Sequence, residues 1–111
     1  MKLALAFATA AGLCFAGLGA AEAALTNAQA EALMKKYACA ACHSIDKKVV
    51  GPAYVEVAAK YKSDKNAVDM LSKKVKDGST GVWGQVPMPP NATVPPADIK
   101  DLVTWIMTLK K

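Results

Sequence analysis

The five-residue segment 39–43, Cys-Ala-Ala-Cys-His, constrains this chain more than any other feature of its sequence. Two thiols at this spacing can add to two vinyl groups on one edge of a porphyrin, while the adjacent imidazole reaches an iron at the ring centre. The Cys-x-x-Cys-His pattern is accordingly a signal for covalent, c-type haem attachment. The segment predicts one haem c and its iron, bonded through Cys39 and Cys42. His43 is the only histidine in the chain, so the imidazole iron ligand is unambiguous.

Two other interpretations of the cysteine pair are a thioredoxin-like redox dithiol and a pair of purely structural cysteines. A thioredoxin-like site requires a βαβ pattern around the cysteines. No stretch of this sequence shows the alternation of a strand. The N-terminal residues have the pattern of an export signal, and this also favours haem, because c-type haem attachment takes place outside the cytoplasm.

The first 23 residues have the pattern of an export signal. Lys2 precedes the apolar run 3–18, and Ala21-Glu22-Ala23 supplies the small residues of a cleavage site. The apolar run is marginal for a membrane span, which needs about 20 residues. We therefore expect residues 1–23 to be removed as a signal peptide, with Cys14 among them, and the mature protein to reside in the periplasm. An uncleaved N-terminal anchor is the alternative.

The remaining 88 residues, 24–111, predict one monohaem domain without a membrane span. A domain this small buries a modest fraction of its surface and often needs a metal or a disulfide for stability. A single close cysteine pair is not a disulfide scaffold. An attached haem would instead fill part of the core.

The pattern along residues 24–111 predicts an all-α fold with about four helices. A capping box of Thr26 and Gln29 starts the first helix. A short helix is expected over 53–60, and another carries Val68, Leu71 and Val75 before it stops near Gly78. Residues 78–94 are rich in glycine and proline and predict a loop of fixed shape. Proline opens the last helix, whose apolar stripe comprises Ile99, Leu102, Val103, Ile106 and Leu109.

The chain has a net charge of +5, and all of its basic residues are lysines. The absence of arginine and of interleaved aromatic and basic residues argues against nucleic-acid binding. A lysine-rich surface suits docking to an acidic protein. A lysine-rich surface is also typical of a soluble protein in which the lysines have no docking role.

The second iron ligand decides between electron transfer and catalysis. Met34, Met70 and Met107 fall in predicted helices, where methionine is usually a packing residue. Met88 lies between prolines, in the segment 86–91 (Val-Pro-Met-Pro-Pro-Asn), and a rigid loop can hold its thioether against the iron. With His43 and Met88 both bound, no position would be left for oxygen or peroxide, which predicts an electron carrier rather than an enzyme. The alternative is a small haem peroxidase or a gas-binding haem protein with a labile sixth ligand.

Several motifs together resemble the small bacterial class I cytochromes c of the cytochrome c-551/c-552 type. They are Cys-Ala-Ala-Cys-His at 39–43, Val-Gly-Pro-Ala-Tyr at 50–54, Gly-Ser at 78–79, Gly-Val-Trp-Gly at 81–84, the segment 86–91 and Trp105. The resemblance covers essentially all of residues 24–111. It implies helices packed around one covalently attached haem.

The same resemblance implies roles for further residues. Pro52 matches a position whose carbonyl accepts a hydrogen bond from the proximal histidine. Trp83 matches a tryptophan whose indole N–H binds a haem propionate, and Lys74 falls where relatives can place a basic residue near a propionate. Asn91 matches an asparagine near the methionine sulfur. Relatives often have phenylalanine at Met34 and glycine at Ala38.

The family also indicates the kinds of partner. We expect a monomer that exchanges electrons with redox proteins such as a nitrite reductase, a terminal oxidase, a peroxidase or a cytochrome bc1-type donor. Partners would meet it at the exposed haem edge.

Overall fold

The structure is a computed structural model that describes residues 24–111 and the single residue 12. The predicted signal peptide, residues 1–23, thus lies outside the described residues except at that one position, and its cleavage stays a prediction. Four α-helices follow one another along the described chain: α1 (Asn27–Lys36), α2 (Tyr54–Tyr61), α3 (Ala67–Asp77) and α4 (Pro96–Ile106). Between α1 and α2 lies a short 3-10 turn, Cys39–Ala41.

The all-α prediction is confirmed. Within residues 24–111 the only β-type pairing consists of two isolated bridges, His43 with Lys48 and Ser79 with Met88. No helix in this part of the chain has the length and apolar character needed to cross a bilayer.

Helix α1 begins where the sequence predicts. The Gln29 backbone N–H donates to Thr26 Oγ1 at 3.2 Å, and the Thr26 backbone N–H donates to Gln29 Oε1 at 2.9 Å. This reciprocal pair satisfies two amide groups that have no partner within the helix. On its inner face, α1 buries Ala30 and Met34.

Helix α4 is the centre of the packing, because it contacts α1, α2 and α3. Pro96 occupies its first turn, where the missing proline N–H costs no helical hydrogen bond. Its buried stripe consists of Ile99, Leu102, Val103, Trp105 and Ile106. Leu109, predicted as part of the same stripe, lies beyond the end of the helix but still packs on the core.

The predicted loop, residues 78–94, contains no helix and returns to the end of α3. The Met88 N–H donates to the Ser79 carbonyl at 2.7 Å, and the Ser79 N–H donates to the Met88 carbonyl at 3.0 Å. Gly78 makes this close return possible, since a Cβ at that position would lie 2.7 Å from the Met88 carbonyl oxygen. The loop therefore brings Met88 back against the helical body.

Candidate haem site

The cysteine segment is folded as a tight turn directly after α1. The Cys39 carbonyl accepts hydrogen bonds from the N–H groups of Cys42 (3.1 Å) and His43 (2.9 Å). Ala38 enters the turn with a left-handed backbone (φ 61°), a conformation that costs a residue with a Cβ more than it costs glycine. This turn holds Cys39, Cys42 and His43 together on the wall of one cavity.

Both cysteines of the turn are half-buried, and they are not joined by a disulfide. Burial raises the pKa of the Cys39 thiol above its ordinary value. The described residues form helices and no βαβ unit, which a thioredoxin-like dithiol requires. The fold around the cysteines therefore argues against the dithiol oxidoreductase interpretation.

The imidazole of His43 is oriented by a backbone carbonyl. His43 Nδ1 lies 2.8 Å from the Pro52 carbonyl oxygen. A carbonyl can only accept, so this contact requires the proton to be on Nδ1. The second nitrogen, Nε2, then carries a lone pair suited to a metal.

Two further residues contact the His43 ring. Tyr54 stacks on it, with ring centroids 4.9 Å apart and ring planes 20° from parallel. Gly51 approaches its Cε1 so closely that a Cβ there would lie only 2.5 Å away. Both residues belong to the motif at 50–54, but the sequence alone does not predict their contacts with the imidazole. The one local signal is their place in the motif, since Gly51 directly precedes Pro52 and Tyr54 lies two residues after it.

The cavity has a volume of about 300 Å³ and is lined mainly by apolar side chains from the turn, α2, α3, α4 and the loop. This volume is within the range of small-molecule and cofactor pockets, about 300–1,000 Å³. All seven predicted site residues line it: Cys39, Cys42, His43, Pro52, Trp83, Met88 and Asn91. Lys74 lies on the same wall. The structure thus brings together residues that are up to 52 positions apart in sequence.

Asn91 fastens the loop to α3. Its side-chain Nδ2 donates to the carbonyls of Val75 (3.1 Å) and Pro89 (3.2 Å). Its backbone N–H is shared between the carbonyls of Val75 and Lys76, each at 3.1 Å. The Asn91 side-chain amide thus joins a carbonyl of α3 to a carbonyl of the loop itself, one residue after Met88.

Trp83 lies where the cavity opens, and 40% of it is exposed. The Lys60 ammonium stands 5.5 Å from the centroid of its ring, within the range of a cation–π contact. Trp83 also borders a smaller cavity, of about 220 Å³, that contains Asp46 and Glu56.

The donor set fits a covalently attached haem. Two thiols stand in a turn of fixed geometry, an imidazole has one nitrogen occupied by a carbonyl and the other free, and a soft neutral thioether lies in the same apolar cavity. Thioether and imidazole are a haem-iron ligand pair found in electron-transfer proteins. The fold and this site define a small all-α haem protein.

A protein-family model described as Cytochrome c matches residues 27–110. The chain therefore belongs to the cytochrome c family. Its curated relatives include a cytochrome c-551 from Allochromatium vinosum, 60% identical over 77 residues, which cover 69% of this chain and 82% of the relative. A cytochrome c-552 from Nitrosomonas europaea is 56% identical over 84 residues, which cover 75% and 82% of the two chains.

Solved structures agree with these relatives. The crystal structure of wild-type Nitrosomonas europaea cytochrome c552 matches with a TM-score of 0.70 and 54% identity, over 72% of this chain and 99% of that chain. A class 1 cytochrome from Sideroxydans lithotrophicus ES-1 matches with a TM-score of 0.59 and 30% identity, over 71% and 90% of the two chains. These findings support a small class I cytochrome c of the c-551/c-552 type.

Membership of this family settles the class of activity. The protein is an electron carrier rather than an enzyme, and its cofactor is covalently bound haem c with iron. Its partners are redox proteins.

Proposed function

We propose that this chain carries single electrons in the periplasm, with His43 and Met88 as axial iron ligands and Cys39 and Cys42 as the points of covalent attachment. The proposal rests above all on the hydrogen bond between His43 Nδ1 and the Pro52 carbonyl, which leaves Nε2 free in a cavity that Met88 also lines. Haem c bound there supplies a reversible one-electron iron couple.

Met88 gives the site its preference for the reduced state. A neutral thioether favours ferrous over ferric iron and raises the reduction potential. The apolar lining acts in the same direction, because it disfavours the additional positive charge of the oxidised state. His43 and Met88 would together hold the iron of a bound haem c and leave no position on it for oxygen or peroxide.

Pro52, Trp83 and Asn91 support these ligands in the proposed arrangement. The Pro52 carbonyl fixes the proton of His43 on Nδ1 and makes Nε2 more basic. The Trp83 indole N–H and the Lys74 ammonium, both on the cavity wall, would bind the propionates of the haem. Asn91 holds the loop on α3, and through the loop it positions Met88.

The mouth of the cavity offers a docking surface for larger redox proteins. Four exposed hydrophobic residues border the cavity: Val50, Val82, Trp83 and Val86. Lys48 and Lys74 lie on the same wall and give it positive charge. An acidic partner, such as a nitrite reductase, a terminal oxidase, a peroxidase or a cytochrome bc1-type donor, would approach this surface.

Lysine steering makes the docking rate depend on salt, because the Debye length shortens as ionic strength rises. The rate of electron exchange with an acidic redox protein is expected to fall on addition of salt. Lys48→Ala should slow exchange at low salt, whereas Lys110→Ala, which is away from the cavity wall, should not. A rate indifferent to ionic strength would exclude steering by lysines.

The periplasmic location depends on removal of residues 1–23. N-terminal sequencing of the protein recovered from a periplasmic extract is expected to begin at Ala24. A chain that retains Met1 and sediments with membranes would instead identify an uncleaved anchor.

Met88→Ala tests the axial ligand directly. The variant should keep its covalent haem but lose the weak long-wavelength sulfur-to-iron band of the ferric protein, lower its potential, and bind carbon monoxide when reduced. Met107→Ala is the matched control, since Met107 follows α4 and packs on the core outside the cavity wall. An unchanged spectrum and potential in Met88→Ala would exclude Met88 as a ligand. Ready carbon monoxide binding by the unaltered protein would support the gas-binding or peroxidase alternative.

A further inference from the structure

A single hydrogen bond does not fix the plane of the His43 ring. The contact between Nδ1 and the Pro52 carbonyl is made at one point of the imidazole edge, at 2.8 Å. The ring can still rotate about its Cβ–Cγ bond over the range of angles that a hydrogen bond tolerates. A second contact, made over the face of the ring, is needed to hold one plane.

Tyr54 supplies a flat contact of this kind. Its ring lies 4.9 Å from the imidazole centroid at an interplanar angle of 20°. Offset stacking of two nearly parallel rings is a favoured aromatic arrangement, and rotation of either ring out of plane weakens it. The Tyr54 face therefore opposes the rotation that the hydrogen bond permits.

Tyr54 is itself fixed in the core by its burial, a backbone hydrogen bond and an aromatic contact. It is buried, with 6% of its surface exposed. Its backbone N–H donates to the Ser44 carbonyl at 3.0 Å, which joins it to the residue that follows His43. Its ring meets Trp105 edge-on, with centroids 6.1 Å apart and planes at 89°. Trp105 is in turn only 1% exposed. The ring that stacks on His43 is therefore part of the rigid core.

Gly51 limits the imidazole from another direction. Its backbone stands so near His43 Cε1 that no side chain fits between them. A rotation that carries Cε1 toward Gly51 is blocked by the backbone itself.

We propose that Tyr54 is a positioning residue that sets the plane of the His43 imidazole, with Gly51 as the backbone stop. The inference rests on the proposed function, in which His43 is an axial ligand. The rotational position of an axial imidazole determines how unpaired spin is distributed over the porphyrin. The haem-methyl proton shifts of the ferric protein report that distribution, independently of any electron-transfer rate.

Three variants of the holoprotein separate positioning from packing. Tyr54→Phe keeps the ring and removes the hydroxyl, whereas Tyr54→Leu removes the ring and keeps an apolar side chain. Tyr61→Leu is the matched control, because Tyr61 also lies on α2 and packs on the core outside the cavity wall. Haem-methyl shifts, the reduction potential and the midpoint of chemical unfolding are measured for each.

Tyr54→Phe is expected to keep the wild-type order and spread of the methyl shifts. Tyr54→Leu is expected to change that order or spread and to shift the potential, while Tyr61→Leu lowers only the unfolding midpoint. Gly51→Ala, with Tyr54 intact, should also change the methyl shifts. If Tyr54→Leu loses stability as Tyr61→Leu does but keeps the wild-type shifts, Tyr54 is a core residue only and the proposal is wrong.

The unaltered protein provides a test that does not depend on the folding of a variant. Nuclear Overhauser contacts between the ring protons of Tyr54 and His43 are expected in the reduced protein, and their absence would overturn the proposal. The ultraviolet–visible spectrum separates this result from a failure of the proposed function. A low-spin spectrum without the contacts refutes the role of Tyr54 alone, whereas a spectrum without imidazole ligation refutes His43 as ligand.

Discussion

Trp105 Nε1 donates a hydrogen bond to Asn27 Oδ1 at 3.0 Å, which joins the last helix to the first turn of α1 across 78 positions of sequence. Trp105 is almost completely buried, whereas Asn27 is on the surface. The exposed Asn27 therefore supplies the acceptor for the Trp105 indole N–H, which would otherwise have no partner in the core.

Removal of this acceptor should be costly for a surface substitution. Asn27→Ala leaves the buried indole N–H without a partner, which costs about 1–3 kcal/mol. Chemical unfolding of the holoprotein measures the loss. Asn66→Ala is the control, because Asn66 precedes α3 without capping it through its side chain, and it should change stability by less than about 0.5 kcal/mol. Equal losses in the two variants would contradict a special role for the Asn27 contact.

The left-handed backbone of Ala38 predicts a stabilising substitution. A residue with a Cβ pays about 1–2 kcal/mol in this conformation, while glycine adds about 0.5–1 kcal/mol of unfolded-state entropy. Ala38→Gly should therefore raise stability by about 0.5–1 kcal/mol. Ala32→Gly, on the exposed face of α1, should lower it by about 1 kcal/mol. Thermal unfolding distinguishes the two signs, and a loss of stability in Ala38→Gly would show that φ 61° is not strained here.

Gly78 and Gly81 form a second matched pair, because both have positive φ (84° and 88°) but different surroundings. A Cβ at Gly78 would meet the Met88 carbonyl at 2.7 Å, whereas a Cβ at Gly81 would meet nothing within 4 Å. Gly81→Ala is expected to cost about 1–2 kcal/mol through backbone strain alone. Gly78→Ala should cost more, and it alone should weaken the sulfur-to-iron band, since it displaces Met88. Retention of that band in Gly78→Ala would contradict the argument.

The Tyr37 hydroxyl donates to Asp98 and connects the end of α1 with the first turn of α4. This hydrogen bond, with a smaller contribution from burial, raises the pKa of Tyr37 above its ordinary value of 10.0. A group with a raised folded-state pKa contributes stability below its unfolded pKa. That contribution is lost as the pH rises through the folded pKa.

Tyr37→Phe should therefore lower stability at pH 8 and lose part of the decline that the unaltered protein shows above about pH 10. Unfolding midpoints across this range measure the effect. Lysines also lose charge near this pH. Tyr61→Phe is therefore the control, because it removes a tyrosine hydroxyl but keeps all the lysines and the Tyr37–Asp98 hydrogen bond. Parallel pH profiles for Tyr37→Phe and the unaltered protein would exclude the Tyr37–Asp98 contribution.

The sequence predicted the features that depend on near neighbours. Thr26 and Gln29 are three positions apart, so the start of α1 is encoded within one helical turn. Pro96 marks the start of α4 in the same local way. The Cys-x-x-Cys-His segment and the proline-flanked Met88 each carry their chemistry in a few adjacent residues, so the sequence could single them out as candidates. The structure places them on one cavity wall, and their roles toward haem stay predictions.

Contacts that depend on packing could not be predicted in this way. The left-handed conformation of Ala38 follows from the turn that the next five residues make, and alanine gives no local signal for it. The stacking of Tyr54 on His43 depends on where α2 lies against the turn. Asn91 contacts α3 through its backbone N–H, which donates to the carbonyls of Val75 and Lys76, and through its side-chain Nδ2, which donates to the Val75 carbonyl. These carbonyls lie 15 and 16 positions earlier in the sequence, so motif matching cannot show the contact.

Most side chains of the buried hydrophobic core also line the cavity. Tyr54, Val57, Leu71, Val94, Ile99, Leu102, Val103 and Ile106 belong to both. A substitution at any of them alters the thermal tolerance of the protein and the surroundings of its redox centre together. Evolution can therefore adjust the reduction potential without changing the stability of the fold mainly at residues outside this shared set, such as those of the loop 78–94. Among related cytochromes, we expect differences in potential to follow variation at these outer positions.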